Sequence, residues 1–266
     1  MVMRHGGLTG IGMVVAVALI SGVRAPVRAV GMEFPHLIQT VTERDLFEGM
    51  LALGFLECTV LRTDDCDKAY GNVQDGIVQI IMDGAYGSGV VWEMTPEQVV
   101  IATNKHVLAY WEDRESYVRF AKGYEAKATI VGISPQYDVG FLAVENQESD
   151  YLELERIRYV HKDLEAYQEL KTGDMIFSAG ADAAVSAESE ANYYQGSIGD
   201  MWRYIEEFEG YMIYGYGYAR EGMSGGGTFD ARGNLIGIFS GATEGGETAS
   251  VPLPLVMEAY EQVRLR

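Results

Sequence analysis

A single serine, Ser224, stands in a run of glycines at residues 221–227, and its hydroxyl could serve as a nucleophile. Glycine permits tight turns with unusual φ angles and close approach of the backbone to a ligand. Such a turn can expose the hydroxyl and aim two backbone N–H groups at one point beside it. That geometry holds the oxyanion of an acyl-transfer intermediate. Glycine–serine runs also form ordinary loops, so the turn needs support from elsewhere in the chain.

Two upstream side chains supply the other parts of such a site. His106 follows a β-branched run that ends in a polar turn, and Asp138 opens another apolar run. A serine becomes a strong nucleophile when an adjacent base takes its proton and a carboxylate orients that base. The order histidine, aspartate, serine is one of the known chain orders of this triad. Asp113 and Asp150 are rival carboxylates, but neither opens a buried apolar strand.

These motifs resemble those of the chymotrypsin-like serine proteases. The similarity is closest to the bacterial branch with cysteine-free catalytic motifs, the HtrA/Deg-type and glutamyl-endopeptidase-like enzymes. Residues 87–91, Gly-Ser-Gly-Val-Val, lead towards residues 103–107, Thr-Asn-Lys-His-Val, as in that group. Residues 171–174, Lys-Thr-Gly-Asp, resemble the turn that opens its second barrel. The resemblance covers roughly residues 77–266.

The resemblance implies roles for residues around the serine. The backbone N–H groups of Gly222 and Ser224 would be the oxyanion donors. Ser240 matches the family serine that supports the aspartate. The backbone of Gly241 and Ala242 would bind the substrate as an added strand.

Three positions depart from the patterns of this family. Met223 stands where pancreatic-type enzymes carry an aspartate that binds a newly freed N-terminus, so activity should not require an exposed amino terminus. Gly227 stands where proline is common, which loosens the turn but leaves the donors in place. Tyr218 aligns near the floor of the primary substrate pocket. Because it is not an acid, it argues against a preference for Lys or Arg at that subsite.

The N-terminus has the pattern of a secretory signal peptide over residues 1–29. A short basic start precedes the apolar run 8–23, which would span about 24 Å as a helix, whereas a bilayer core needs about 30 Å. Small residues at 27 and 29 suit a cleavage site. The alternative is a retained membrane anchor. We therefore expect a secreted or cell-surface, extracytoplasmic protein, anchored in the membrane only if this segment is uncleaved.

The formal net charge of −19 limits the range of partners. So acidic a chain repels phosphate backbones and anionic membranes, which argues against nucleic acid as a partner. The expected partner is a polypeptide substrate.

Cys58 and Cys66 could form a small disulfide loop or remain thiols. No zinc-binding spacing occurs, and we expect neither a metal nor a cofactor.

The alternation of short β-rich runs with turn residues predicts an all-β fold of two six-stranded antiparallel β-barrels. The first barrel would span 77–146, a polar linker 147–170 and the second barrel 171–253. A helix at 254–266 would close the chain. The predicted strands are 77–82, 89–93, 99–103, 117–120, 126–132 and 141–144 in the first barrel, and 175–179, 191–197, 211–218, 226–230, 235–239 and 249–252 in the second.

Residues 30–76 precede the barrels and predict a helical extension, with a helix that starts at Thr42. A pro-segment is the alternative interpretation of this stretch.

For the whole chain, the leading hypothesis is an exported serine endopeptidase with His106, Asp138 and Ser224 as its triad. A second hypothesis is an inactive binding module of protease fold, in which the tyrosine-rich run 211–218 reshapes the cleft. A third is a cell-surface β-barrel interaction protein in which the motifs are coincidental.

Overall fold

A computed structural model describes residues 41–147, 150–181 and 192–265 of the protein. The predicted signal peptide at 1–29 lies outside the described residues, as does the start of the predicted extension. Among the residues that the structure describes, no helix is long and apolar enough to cross a membrane.

The first half of the β structure is a seven-stranded antiparallel sheet with the order β5-β4-β1-β2-β3-β7-β6. One more strand is present than the sequence predicts, because the run 126–132 divides into two short strands. The sheet curls into a half-barrel whose edge strands are β5 and β6. Its strands are β1 (Ile77–Met82), β2 (Ala85–Met94), β3 (Gln98–Thr103), β4 (Tyr117–Arg119), β5 (Glu125–Ala126), β6 (Thr129–Ile133) and β7 (Gly140–Glu145).

The second half is a closed six-stranded barrel with the order β10-β13-β12-β11-β8-β9. Strands β9 and β10 form a ribbon that extends well beyond the predicted strand 191–197. A 3₁₀ turn at Glu206–Phe208 joins them. The strands are β8 (Met175–Gly180), β9 (Asn192–Ile205), β10 (Gly210–Gly217), β11 (Gly227–Asp230), β12 (Leu235–Ala242) and β13 (Glu247–Pro252). Together the two sheets confirm the predicted chymotrypsin-like architecture.

Short helices connect and flank the sheets. Helix α1 begins after Thr42, whose hydroxyl accepts from the N–H of Asp45 while the Asp45 carboxylate accepts from the N–H of Thr42, a complete capping box. The described α-helices are α1 (Glu43–Ala52), α2 (Cys66–Val73), α3 (Lys105–Leu108), α4 (Tyr151–Leu154), α5 (Leu164–Glu169) and α6 (Leu253–Arg264).

The C-terminal helix α6 packs against both sheets. Tyr260 lies 5.8 Å from the ring of Trp92 in the first sheet, and its hydroxyl donates to Glu93 at 2.9 Å. Val263 occupies the space over Gly132, where an added Cβ would come within 2.5 Å of its methyl group. The helix therefore holds β2 and β6 of the first sheet close to the barrel strands β12 and β13.

Residues 150–170 contain more regular structure than the polar linker that the composition of 147–170 predicts. They include α4 and α5, and apolar residues at every third position from 151 to 160 point inward. Leu154 and Val160 are fully buried, and Tyr151 and Ile157 nearly so. Because these few apolar side chains are spread among acidic residues, the average polarity of the segment hides them.

The described part of the extension packs on the barrels. Phe47 of α1 is fully buried and lies 5.2 Å from the ring of Tyr151. The N–H of Cys58 donates to the carbonyl of Tyr159 at 2.8 Å.

Cys58 and Cys66 are both buried free thiols, and burial raises the pKa of Cys58 to about 12. The thiol alternative for this cysteine pair is therefore the one that the structure contains.

Replacement of Phe47 by alanine should lower the free energy of unfolding by about 3–5 kcal/mol, because it removes a fully buried ring. Phe55→Ala is the matched control, since Phe55 is 55% exposed and its loss should cost under about 0.5 kcal/mol. Urea denaturation of the full chain measures both values. Equal stability of the two variants would mean that the extension does not belong to the cooperative fold.

Candidate active site

The segment 220–226, called here the nucleophile turn, carries Ser224 and is anchored at both ends. The N–H of Met223 donates to the carbonyl of Arg220 at 3.2 Å, and Gly222 between them has a φ of 93°, as the third position of a type II turn requires. Gly225 has a φ of 90°, and an added Cβ there would lie 2.1 Å from the carbonyl oxygen of Ser88. The glycines therefore allow the turn to lie against β2.

The backbone N–H groups of Gly222 and Ser224 donate to no acceptor among the described residues. The hydroxyl of Ser224 is half-buried and donates to the carbonyl of Ser240 at 3.1 Å. A half-buried hydroxyl thus lies on the same turn as two amides that donate to none of the described residues.

His106 and Asp138 form a direct pair. His106 lies in the short helix α3, directly after the buried strand β3, and Asp138 lies just before β7, which is the neighbour of β3. The Asp138 carboxylate binds His106 twice: Oδ2 lies 2.8 Å from Nδ1, and Oδ1 accepts from the backbone N–H at 3.0 Å. The side chain of Asp138 is 12% exposed and that of His106 is 45% exposed. The carboxylate therefore fixes a ring that still reaches solvent.

A chain of hydrogen bonds connects this pair to the nucleophile. The fully buried Asn104 donates from Nδ2 to the carbonyl of Asp138 at 2.9 Å and to the hydroxyl of Ser240 at 3.1 Å. Ser240 in turn accepts from Ser224 through its carbonyl. The structure thus connects the three predicted residues through Asn104 and Ser240. Ser240 reaches Asp138 through Asn104, rather than by a hydrogen bond to the carboxylate.

Gly87 marks a second place at which the two halves approach each other. An added Cβ on Gly87 would lie 2.6 Å from a methyl group of Val107 and 3.5 Å from the carbonyl oxygen of Ser224. Val107 directly follows His106. The helix that carries the histidine and the turn that carries the serine therefore meet over one residue that has no side chain.

Ser88, the next residue, fastens the nucleophile turn. It is fully buried, and its N–H donates to the carbonyl of Ser224 at 2.7 Å. Its hydroxyl donates to the carbonyl of Gly222 at 2.7 Å and accepts from the N–H of Ala181 at 2.8 Å. Because both carbonyls belong to the turn, Ser88 fixes the orientation of the peptide units around the candidate oxyanion donors.

Ser88→Ala should therefore lower kcat by roughly 10- to 100-fold and leave KM nearly unchanged, because it loosens a donor of the oxyanion site. Ser250→Ala is the matched control. It also removes a buried hydroxyl, one that bonds Thr228 at 2.7 Å, and it should reduce stability without this loss of kcat. Steady-state kinetics on a peptide substrate measure the effect. Equal kcat in the two variants would show that Ser88 does not position the turn.

Two of the residues predicted to bind substrate directly follow Ser240 in the chain, whereas Tyr218 follows β10. Gly241 and Ala242 end strand β12 directly after Ser240 and are half-buried and exposed, respectively. Tyr218 is 60% exposed, and its ring packs against Tyr194 at 5.0 Å. Nothing in the described structure links Tyr218 to the triad.

Sequence reasoning missed the roles of Ser88 and Asn104, although both lie inside motifs that it quoted. The signal for each was a polar residue inside a β-rich, buried run, where an unpaired polar group is costly.

Within the described ranges, no group of three or more His, Cys, Asp or Glu residues is arranged to hold a metal ion.

Comparisons with known proteins identify the family of the chain. The family model described as a trypsin-like peptidase domain matches residues 87–238, which is more than half of the chain. The protein therefore belongs to the trypsin-like peptidase family. No curated protein sequence matches the chain.

Solved structures of the HtrA-type protease AlgW are similar to the chain in fold. One with a tripeptide has a TM-score of 0.62 at 21% identity and covers 75% of this chain and 63% of its own. A variant with a decapeptide has a TM-score of 0.61 at 18% identity and covers 76% and 67%. The present chain thus spans less than two thirds of the tripeptide-bound protein.

Proposed function

We propose that the protein is a serine endopeptidase that hydrolyses peptide bonds through an acyl-enzyme. The observation that carries the proposal is the hydrogen-bonded series from His106 through Asp138, Asn104 and Ser240 to Ser224. Membership of the trypsin-like peptidase family supports the same reaction class.

In the proposed mechanism, Ser224 attacks the scissile carbonyl while the free ring nitrogen of His106 takes the hydroxyl proton. Asp138 accepts from Nδ1, so that Nε2 is the basic nitrogen, and it stabilises the imidazolium that forms. The amides of Gly222 and Ser224 stabilise the oxyanion. The protonated histidine then protonates the leaving amine, and water hydrolyses the resulting ester by the same steps.

The hydroxyl of Ser224 must leave the carbonyl of Ser240 before it can donate to the histidine. Catalytic hydrogen bonds are often loose in the absence of substrate and tighten in the complex. The carbonyl of Ser240 would then be free to accept from the substrate backbone, because the substrate and the serine hydroxyl use it in turn.

The substrate is proposed to be a polypeptide that adds a strand beside Gly241 and Ala242. Both residues pair with β13 on one side, and on the other side the described ladder between β11 and β12 stops at Ile238. Their second edge can therefore accept an extended chain. A tripeptide accompanies the similar protease AlgW, which favours a peptide as the class of ligand.

A fluorophosphonate probe tests the mechanism. The purified protein should form one covalent adduct, and peptide mapping by mass spectrometry should locate it on Ser224. Digestion of a proteome-derived peptide mixture should yield new termini in parallel. Absence of both the adduct and the cleavage would contradict the proposal.

One observation favours the second candidate, an inactive binding module of protease fold. In the described structure the Ser224 hydroxyl donates its proton to the backbone carbonyl of Ser240, so that this proton is engaged away from the base. An adduct on Ser224 without any turnover of the peptide mixture would support that candidate.

Export of the protein is a further proposal, which the residues of the N-terminal segment support. The apolar run at 8–23 between basic flanks is typical of a signal peptide. N-terminal sequencing of the protein purified from its host should begin near residue 30, whereas an intact N-terminus in the membrane fraction would indicate a retained anchor.

A further inference from the structure

A groove of about 530 Å³ opens beside the strand edge that is proposed to bind substrate. It lies between the end of β12 and the turn at Glu206–Phe208 that joins β9 to β10. An added Cβ on Gly241 would point at the ring of Phe208, with 3.5 Å between them. A side chain opposite Gly241 on an added strand would share this face and enter the groove, because directly opposed residues in a sheet project to the same side.

The groove has an apolar floor. Ile205, Phe208, Tyr214 and Ala249 line it, and each is at least partly buried. A long aliphatic stem would therefore find contacts along the wall, where it could displace water from apolar surface.

The rim of the groove is acidic. Glu206, Glu207 and Glu247 line it and are all exposed, and Arg203 is the one cation among the lining residues. Arg203 stacks on the ring of Tyr214 with its guanidinium carbon 4.1 Å from the ring centre. The hydroxyl of Tyr214 donates to Glu247 at 2.6 Å. Three carboxylates against one guanidinium leave a net negative rim around an apolar floor.

We propose that this groove binds a lysine or arginine side chain of the polypeptide substrate, at the second or fourth residue before the scissile bond. With the first residue, P1, beside Ser240, an antiparallel substrate strand places P2 opposite Gly241. P4 projects from the same face two residues further on, because side chains alternate along a strand. The aliphatic stem lies on the floor and the cation meets the acidic rim. This inference rests on the proposed peptidase function.

Matched peptides test the inference through a charge difference on one aliphatic stem. One pair carries lysine or norleucine, which has the same four-carbon stem without the ammonium group, at P2, and a second pair carries them at P4. In at least one pair, kcat/KM should favour lysine by roughly two- to fivefold, the range expected of exposed ion pairs. The preference should shrink at high salt, because ions screen exposed charges.

Two variants give opposite expectations. Glu207→Gln combined with Glu247→Gln should bring the lysine-to-norleucine ratio close to one, whereas Arg203→Gln should raise it. Equal rates within both peptide pairs would overturn the inference, as would a lysine preference that survives the double substitution. Preference for a glutamate peptide over norleucine would overturn it too, and would assign the groove to an acidic side chain bound by Arg203.

A binding measurement separates failure of this inference from failure of the proposed chemistry. Fluorescence anisotropy of the same labelled peptides with Ser224→Ala needs no turnover, and the lysine peptide should bind more tightly in at least one pair. Equal affinity within both pairs would overturn the groove assignment even if the fluorophosphonate adduct forms on Ser224. Tighter binding of the lysine peptide without any adduct in the wild type would support the groove and contradict the peptidase.

Discussion

Replacement of Ser224 by alanine should lower kcat by about 10⁶-fold, as loss of the nucleophile does in enzymes whose triad acts as a unit. Alanine retains the backbone and both candidate amide donors, and it removes the one oxygen that can form the acyl-enzyme. The substitution also deletes the hydrogen bond to Ser240, a neutral bond worth about 1 kcal/mol. The fold should therefore survive, and KM or peptide affinity should change little.

The kinetic readout is peptide hydrolysis under conditions in which the wild type turns over, combined with adduct formation by the fluorophosphonate. Ser197→Ala is the matched control. Ser197 is also half-buried, and it lies in β9, where it pairs with Met175 and Tyr216 rather than with a residue of the triad. It should retain wild-type kcat and labelling. If Ser224→Ala keeps more than about one thousandth of the wild-type kcat, another residue is the nucleophile.

The strand pattern could be predicted from the sequence because alternating apolar residues and turn residues are local signals. Strand β1 begins and ends where the pattern predicts, and the capping pair Thr42 and Asp45 locates the start of α1. The continuation of β9 beyond residue 197 could not be predicted, because most of its residues are half-buried or exposed. This part of the strand therefore lacks the apolar alternation that identifies a strand with one buried face.

The candidate site was predictable as far as its chemistry is written in residue types. Ser224, His106 and Asp138 each occur at the end of a strand-like run, and their types suffice to suggest acyl transfer. The supporting bonds were not predictable in the same way. Asn104 bonds Asp138 and Ser240, which are 34 and 136 residues away, and Ser88 bonds a turn that begins more than 130 residues later. Such partners depend on the relative placement of two sheets, which no local pattern contains.

The second large effect is expected from Asp138→Asn, which should lower kcat by about 10⁴-fold. The carboxylate faces two groups of the same residue: Oδ1 accepts from the backbone N–H of His106, and Oδ2 contacts Nδ1 of its ring. An asparagine must place its oxygen opposite the backbone N–H, because its NH₂ group cannot accept a hydrogen bond. The NH₂ group then faces Nδ1.

An NH₂ donor at that position requires Nδ1 to be the acceptor, so the ring proton moves to Nε2. A ring protonated at Nε2 cannot take the proton of Ser224, and the nucleophile is not activated. Asp113→Asn is the matched control, because Asp113 is an exposed carboxylate that binds the indole N–H of Trp111 at 3.0 Å, and its kcat should stay at the wild-type value. Heteronuclear NMR of the imidazole nitrogens in Asp138→Asn should show the proton on Nε2. A proton on Nδ1 with wild-type activity would mean that Asp138 does not determine the tautomer, and that the charge of the carboxylate is dispensable for the reaction.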